Sequence, residues 1–259
     1  MNPQKVSWNP DQYLKFGDQR LRPAQDLLAR VGLESPGIIY DLGCGTGNTT
    51  QLLADRWPQS QVTGIDSSSE MLEKARNSCP NLDFKEADLE VWNPGIEADL
   101  FYSNAALQWL GNHEILFPRL LKKLPRGGRL AVQMPRNFES PSHTAIRESV
   151  ESGPWAKRIK PALRSRPVLE PEFYYDLLAN QVEHLDLWET IYTHVLEGEN
   201  PVVEWTKGTA LRPILKLLQA EEETTFMEDY SKRIHELYPP RNDGRTLFLF
   251  RRLFIVATR

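Results

Sequence analysis

The chain of 259 residues has only two cysteines, Cys44 and Cys79. Two thiols build no disulfide framework, which fits a reducing compartment. The start, Met1-Asn2-Pro3-Gln4-Lys5, is not an apolar signal region, and no later apolar run approaches membrane-spanning length. These absences predict a cytoplasmic protein with no membrane partner. Neither sign of charge dominates: 31 Lys and Arg stand against 35 Asp and Glu, a net of −4. A mildly acidic chain argues against a general nucleic-acid binder. His143 and His194 stand alone without ligand spacing, so no metal is expected. Cys44 has no histidine near it in sequence to activate a thiolate and reads as a loop residue. There is no internal repeat, and the ordinary balance of 40% apolar and 25% charged residues fits one large globular domain or a domain plus a cap.

What the chain does have is concentrated in Ile38-Ile39-Tyr40-Asp41-Leu42-Gly43-Cys44-Gly45-Thr46-Gly47-Asn48. The start of this stretch is a short buried strand by composition. Gly43, Gly45 and Gly47 follow at every second position, so a turn can take positive φ and a ligand can touch bare backbone. Asn48 and Thr49 are candidate caps for a helix bearing Leu52, Leu53 and Trp57. A small molecule is therefore expected at the carboxyl end of this strand.

The remaining strands repeat that arrangement. Gln61–Ile65 reads as a second strand, and Asp66 ends it a little over twenty residues past Gly43, where a doubly wound fold faces a ribose. Ser67-Ser68-Ser69-Glu70 contains a capping-box pattern, and Met71 and Leu72 begin an amphipathic helix. Leu82–Glu86 is a third strand followed by Asp88 and Leu89, and Ala98–Asn104 a fourth that runs into Ala105–Leu110. A helix is expected over His113–Leu124, then a Pro-Arg-Gly-Gly turn and a fifth strand at Arg129–Met134. Strands alternating with helices imply a parallel sheet with its functional loops on one side. Ahead of this core, Asn9-Pro10 opens a helical stripe that Gly17 and Pro23 are expected to split. Behind it, residues 136–168 show no strand, Glu170–Ala179 is helical, and His184–Val195 alternates through Leu185, Leu187 and Ile191 as a sixth strand. Helices fill 201–238, including Leu211–Leu218, and Leu247–Thr258 is the final strand. This divides a single domain into cap helices (1–31), a cofactor core (36–135), an insertion (136–168) and a helical lid (198–240).

The glycine spacing is not the dinucleotide pattern G-x-G-x-x-G, and no Lys followed by Ser or Thr makes a phosphate loop. Asp41 ends the first strand and is expected to point a carboxylate toward the loop, a poor neighbour for pyrophosphate and a good one for a cation. Here the sequence resembles class I S-adenosylmethionine-dependent methyltransferases, whose first motif is an acidic residue followed by G-x-G-x-G. The resemblance implies an α/β, Rossmann-like fold. Its seven-stranded sheet would be mostly parallel with an antiparallel last strand. It further implies S-adenosyl-L-methionine held by Asp41, Gly43, Cys44, Gly45, Asn48, Asp66, Ser67, Met71, Asp88, Leu89, Asn104 and Trp109. Within that group the chain resembles trans-aconitate 2-methyltransferases through Trp8-Asn9-Pro10, Arg20 and Arg22-Pro23. Further matches are Asn104–Leu110, Leu130–Pro135, Tyr174-Tyr175-Asp176, Leu211-Arg212-Pro213 and Arg252–Arg259.

That narrower resemblance implies methyl-ester formation on a small polycarboxylate. Such an acid is ionised at neutral pH, with a pKa near ~4, so no general base is required. Orientation and a dry site would supply the rate. The spare carboxylates want arginine forks; Arg20, Arg22, Arg212 and Arg252 are the candidates, with Trp8, Tyr13, Trp109 and Trp205 as pocket walls. A monomer or weak oligomer is expected. A carrier-bound malonyl acceptor is the alternative within the class, with Lys157, Arg158, Lys160, Arg164 and Arg166 as its basic rim. A nicotinamide-dependent oxidoreductase or a non-catalytic nucleotide-binding module is the alternative outside it.

Overall fold

The centre of the sheet is the short apolar run of the sequence. β1 (Ile38–Leu42) is buried from Ile39 onward, as a strand flanked on both sides must be. The computed structural model describes residues 17–163 and 167–259. The other strands are β2 (Gln61–Asp66), β3 (Asp83–Glu86), β4 (Leu100–Asn104), β5 (Arg129–Pro135), β6 (His184–Leu196) and β7 (Thr246–Thr258). They form one sheet in the order β3-β2-β1-β4-β5-β7-β6. Strands β1 to β5 are parallel, and β7 alone runs against its neighbours, as expected for the resembled fold. The strand order reverses between β1 and β4, which opens a crevice at their carboxyl ends.

Helices cover both faces. One face packs α1 (Gly17–Val31) and α2 (Asn48–Arg56) through Leu27, Val31, Leu53 and Trp57 onto Ile39, Tyr102 and Phe254. The other packs α4 (His113–Leu121) and α7 (Pro171–Leu178) through Phe117, Leu120, Tyr174 and Leu178 onto Phe101, Leu130 and Val132. α3 (Ser69–Ser78) contributes Leu72 and Ala75 to a smaller cluster with Cys44, Cys79 and Phe84. A further core lies at the outer end of β6 and β7. There α5 (Pro141–Ser152) and α6 (Ala156–Ile159) meet three helices between those strands, α8 (Pro201–Lys207), α9 (Arg212–Leu215) and α10 (Ala220–Leu237). Trp205, Phe226, Tyr230 and Phe248 are wholly or almost wholly buried in it.

Several local expectations are corrected. α1 runs unbroken through Pro23. Pro23 and Ala24 are buried and Tyr102 Oη donates to the Ala24 carbonyl, so packing outweighs the missing backbone donor. α2 starts behind Gly47 at φ 85, with no side-chain cap from Asn48 or Thr49. Ser68, not Ser67, caps α3 by accepting from Met71 N at 3.3 Å, and Glu70 pairs with Lys74 instead of closing a box. The helix expected over Leu211–Leu218 is only the single turn α9, and α4 stops at Leu121. In β6, Leu185 and Leu187 join the core but Ile191 is half exposed; the opposite face carries Trp188 and Tyr192 inward.

Candidate active site at the strand ends

The glycine loop is pinned before it can be used. Gly43 N and Cys44 N both donate to Ile65 O, at 2.7 and 3.0 Å, tying the loop to the end of β2. Gly43 has φ 75, and a Cβ there would stand 2.1 Å from the Ala106 Cβ, so only glycine fits. Above Gly45, by contrast, a Cβ would meet nothing, which leaves the upper face of the loop open to a ligand. The Asp66 carboxylate accepts from Gly45 N and from Ser68 N, each at 2.9 Å, and so joins the loop to the start of α3. Each oxygen keeps lone-pair capacity for a further donor.

Asp41 is buried and accepts from Thr50 Oγ1 of α2 at 2.7 Å, within electrostatic reach of Cys44 in the loop. Burial pushes its pKa up to about 7, opposed by the Thr50 hydrogen bond and aided by the nearby Asp66 charge. Burial likewise pushes the Cys44 thiol up, with the charges of Asp41 and Asp66 adding to it, which keeps it an inert loop residue. Asp88 is exposed at the end of β3 and accepts from Glu90 N at 2.9 Å, while Leu89 and Met71 are nearly buried. Asn48 and Ser67 are exposed at the rim.

Beyond β4 the backbone is strained. Ala105 sits at φ 53, left-handed for a residue with a side chain, at a cost of about 1–2 kcal/mol. Its N–H donates to Gln133 O and its carbonyl accepts from Gln108 Nε2, which hold the turn in place. The following 3₁₀ turn, Leu107–Trp109, is anchored from below. The Leu107 carbonyl can only accept, so His113 Nε2 donates to it at 2.9 Å and Tyr174 Oη donates to Nδ1 at 2.8 Å. Burial lowers the His113 pKa, consistent with that neutral tautomer. Asn104 Oδ1 is buried at the end of β4 without a hydrogen-bond partner.

A pocket of about 110 Å³ opens beside this turn. Its walls are Ala105, Gln108 and Trp109 from the turn, Pro135 at the end of β5, Asn137, Phe138 and His143 beyond it, Pro167, and Trp205, Thr206, Thr209 and Ala210 from α8 and the residues after it. Phe248, Phe250 and Arg252 of β7 close it. Arg252 is 4% exposed; its guanidinium lies 4.5 Å from the Phe250 ring centroid and donates to Gln133 Oε1 at 3.3 Å.

Of the expected substrate residues, the structure brings Trp109, Trp205 and Arg252 together here. Arg22 lies over Tyr192, a ring that Arg252 also approaches, and Tyr192 Oη donates to Asp26 at 2.6 Å. Arg212 begins α9, half buried and within electrostatic reach of Glu70 on α3, and is not part of the pocket wall. Trp8, Tyr13 and the side chain of Arg20 lie outside the described residues, as do Arg164 and Arg166 of the expected basic rim. Of that rim, Arg158 is paired with Glu222 and Lys160 with Glu151.

Sequence reasoning included Gln108 only within the stretch Asn104–Trp109, gave no role to Gln133, Asn137, Thr206 and Thr209, and noticed His143 only as a lone histidine. Burial, and next the Arg147 charge, push His143 down to about 4, so it is a neutral wall at working pH. Among the described residues no cluster could hold a metal ion, and no helix is long and apolar enough to cross a membrane.

Comparison with known proteins places this geometry. A methyltransferase-domain family matches residues 39–128, the stretch from β1 to the turn before β5. Among solved structures, the YcgJ protein of Bacillus subtilis superposes with a TM-score of 0.60 at 13% identity, covering 92% of this chain and 98% of that one. A putative methyltransferase of Bacillus halodurans gives 0.59 at 14% identity, covering 92% of this chain and 98% of that one. At such identities these establish the fold alone. The trans-aconitate 2-methyltransferase of Azoarcus sp. is 48% identical over 98% of this chain and 99% of the relative. The enzyme of the same name from Agrobacterium fabrum is 46% identical over 98% and 100%, and that from Methylobacterium radiotolerans 48% over 98% and 99%. With its strand-end crevice, its glycine loop and this full-length identity, the chain belongs to the trans-aconitate 2-methyltransferase family of class I methyltransferases.

Proposed function

We propose that the protein transfers the methyl group of S-adenosylmethionine to a carboxylate of trans-aconitate, giving a monomethyl ester. The observation that carries this reading is identity of 46–48% over essentially the whole chain to enzymes of that name. The residues at the strand ends fit the cofactor: the loop is open above Gly45, and the buried Asn104 Oδ1 awaits a donor. Bound S-adenosylmethionine supplies an electrophilic methyl group on a cationic sulfonium.

The chain's own residues then do three things. Gly43, Cys44, Gly45 and Asn48 shape the methionyl cradle, and Asp41 nearby biases the site toward a cation. Asp66 accepts from the ribose hydroxyls. Met71, Asp88, Leu89 and Ser67 bracket the base. Asn104 and Trp109 bound the methyl side, facing the pocket that Trp205 and Arg252 close over the acid. No side chain needs to take a proton, since the acid is already ionised with a pKa near ~4. The walls exclude water from a reaction that neutralises charge, and alignment contributes up to about 7–11 kcal/mol in favourable cases. Arg22 and Arg212 reach the same region from α1 and the lid, as outer cations.

The deciding experiment is transfer of labelled methyl to trans-aconitate, cis-aconitate, isocitrate, citrate and a malonyl-carrier. Selective labelling of trans-aconitate is expected. Labelling of the malonyl-carrier instead would move the acceptor to the alternative substrate class.

A further inference from the structure

The wall of the pocket that follows β5 contains a buried amide. Asn137 is 5% exposed and lines the same pocket as Arg252, and among the described residues its Nδ2 has no hydrogen-bond partner. A buried donor left unmade is costly, so native proteins retain one chiefly where a ligand or ordered water completes it. The backbone is held on both sides of the amide. Arg136 N donates to Arg251 O on one side of Asn137, and Ser140 N donates to the Asn137 carbonyl on the other, both at 2.9 Å. Rotation of the amide by half a turn exchanges its donor and acceptor without moving the backbone, so the donor can face the pocket.

Arg252 is arranged for the same purpose. Pro135 and Arg252 are register partners across β5 and β7, and Asn137, two residues past Pro135, lines the same pocket as Arg252. Gln133, wholly buried one pleat earlier, accepts from Arg252 Nη1 through Oε1. That bond fixes which end of the Gln133 amide is oxygen, since a turned amide would set donor against donor.

Resting on the reading of this pocket as the acid's, we infer that Asn137 is a substrate-binding residue. Its side-chain amide donates to one carboxylate while the Arg252 guanidinium, positioned by Gln133, takes another. A neutral donor suits a site where charge must be lost. It satisfies a carboxylate oxygen without pinning it to a cation as strongly as a second arginine would. Two such points also select for acids with at least two carboxylates beyond the one being esterified. An acid without the extra carboxylate strands a buried donor.

The test uses the isosteric change Asn137→Asp, with Asn137→Ala beside it. For Asn137→Asp the KM for trans-aconitate should rise at least about thirtyfold, because a carboxylate now opposes a carboxylate. For Asn137→Ala it should rise about tenfold, the scale of one lost hydrogen bond. Calorimetric affinity for S-adenosylhomocysteine should stay within twofold in both. Lowering the pH toward the range where the new Asp takes a proton should recover part of the KM of Asn137→Asp, which a structural role would not predict. A KM unchanged in both variants, with or without a lower Tm, would overturn the inference while the function stands. If the unmodified protein neither binds nor methylates trans-aconitate, the functional reading falls and the inference falls with it.

Discussion

The two walls of the strand-end crevice are built on opposite plans. On the proposed assignment, the cofactor wall is acidic and already knitted together: Asp41 is bonded to Thr50, and Asp66 to both Gly45 and Ser68. Its parts lie within a few residues of one strand end or the next. The acid-side wall is cationic, amide-bearing and aromatic. It is assembled from the turn after β4, the segment after β5, the lid helices and β7, which meet only in the folded chain. A cation and an anion that must be brought together are thus met by fields of opposite sign. The cation's wall is a local motif, and the anion's is a long-range assembly.

The largest test of this contrast is Gly43→Ala. With a Cβ 2.1 Å from Ala106 and φ 75, the local motif has no slack. About 3 kcal/mol of stability should be lost, read as a fall in Tm, together with most cofactor binding. If calorimetry shows normal affinity, the cofactor wall is less rigid than its geometry. Next, Asp66→Ala should weaken S-adenosylmethionine about thirty- to a hundredfold, the worth of about 2–3 kcal/mol of charged hydrogen bonding, with only a modest change in Tm. Unchanged affinity would remove Asp66 from the ribose site. Across the crevice, Arg252→Ala should raise the KM for trans-aconitate roughly ten- to a hundredfold and leave cofactor affinity alone. A change in both constants would show that the walls are not independent.

A smaller effect concerns pH. Folded Asp41 keeps its proton up to about 7, whereas the unfolded carboxylate loses it near ~4. Between those values the folded chain binds more protons, so the ligand-free protein should gain stability as pH falls from 7 toward 5. A cation bound near the carboxylate favours its charged form, so cofactor affinity should weaken over the same interval. Thermal melts and calorimetry at pH 5, 6 and 7 measure both slopes, and Asp41→Asn should flatten them. Smallest is Arg212→Ala. From its place on α9 it should raise KM only a few-fold, about 0.5–1 kcal/mol, the scale of an outer charge. A hundredfold loss would place it inside the pocket.

How much of this could be read in advance follows the same division. Strand, glycine loop and helix sit within Ile38–Arg56, so periodicity and glycine spacing located them; spacing pointed to Asp66, and the family resemblance added a role for Asp88. Even so, the Thr50 partner of Asp41, nine residues away, is a choice that side-chain packing makes and periodicity does not. The wall proposed for the acid was legible where a family motif marked it, as at Trp109 and Arg252, or where a lone aromatic suggested a wall, as at Trp205. Gln133 becomes a partner of Arg252, and Asn137 comes to line the same pocket, through the antiparallel register of β5 and β7, which joins positions more than a hundred residues apart. The signal in the sequence for Asn137 was its place just past a strand end, the position that had already singled out Asp66 and Asp88.

The long final strand has a mechanical consequence. Residues 252–258 of β7 pair with β5 on one side and β6 on the other; past the bond from Arg136 N to Arg251 O, residues 246–250 pair with β6 alone. The core at Phe248 rides on that one-sided arm. Two-sided pairing holds a strand more firmly than one-sided pairing, so amide hydrogen exchange should step up past Arg251, next to the residue proposed to hold the acid.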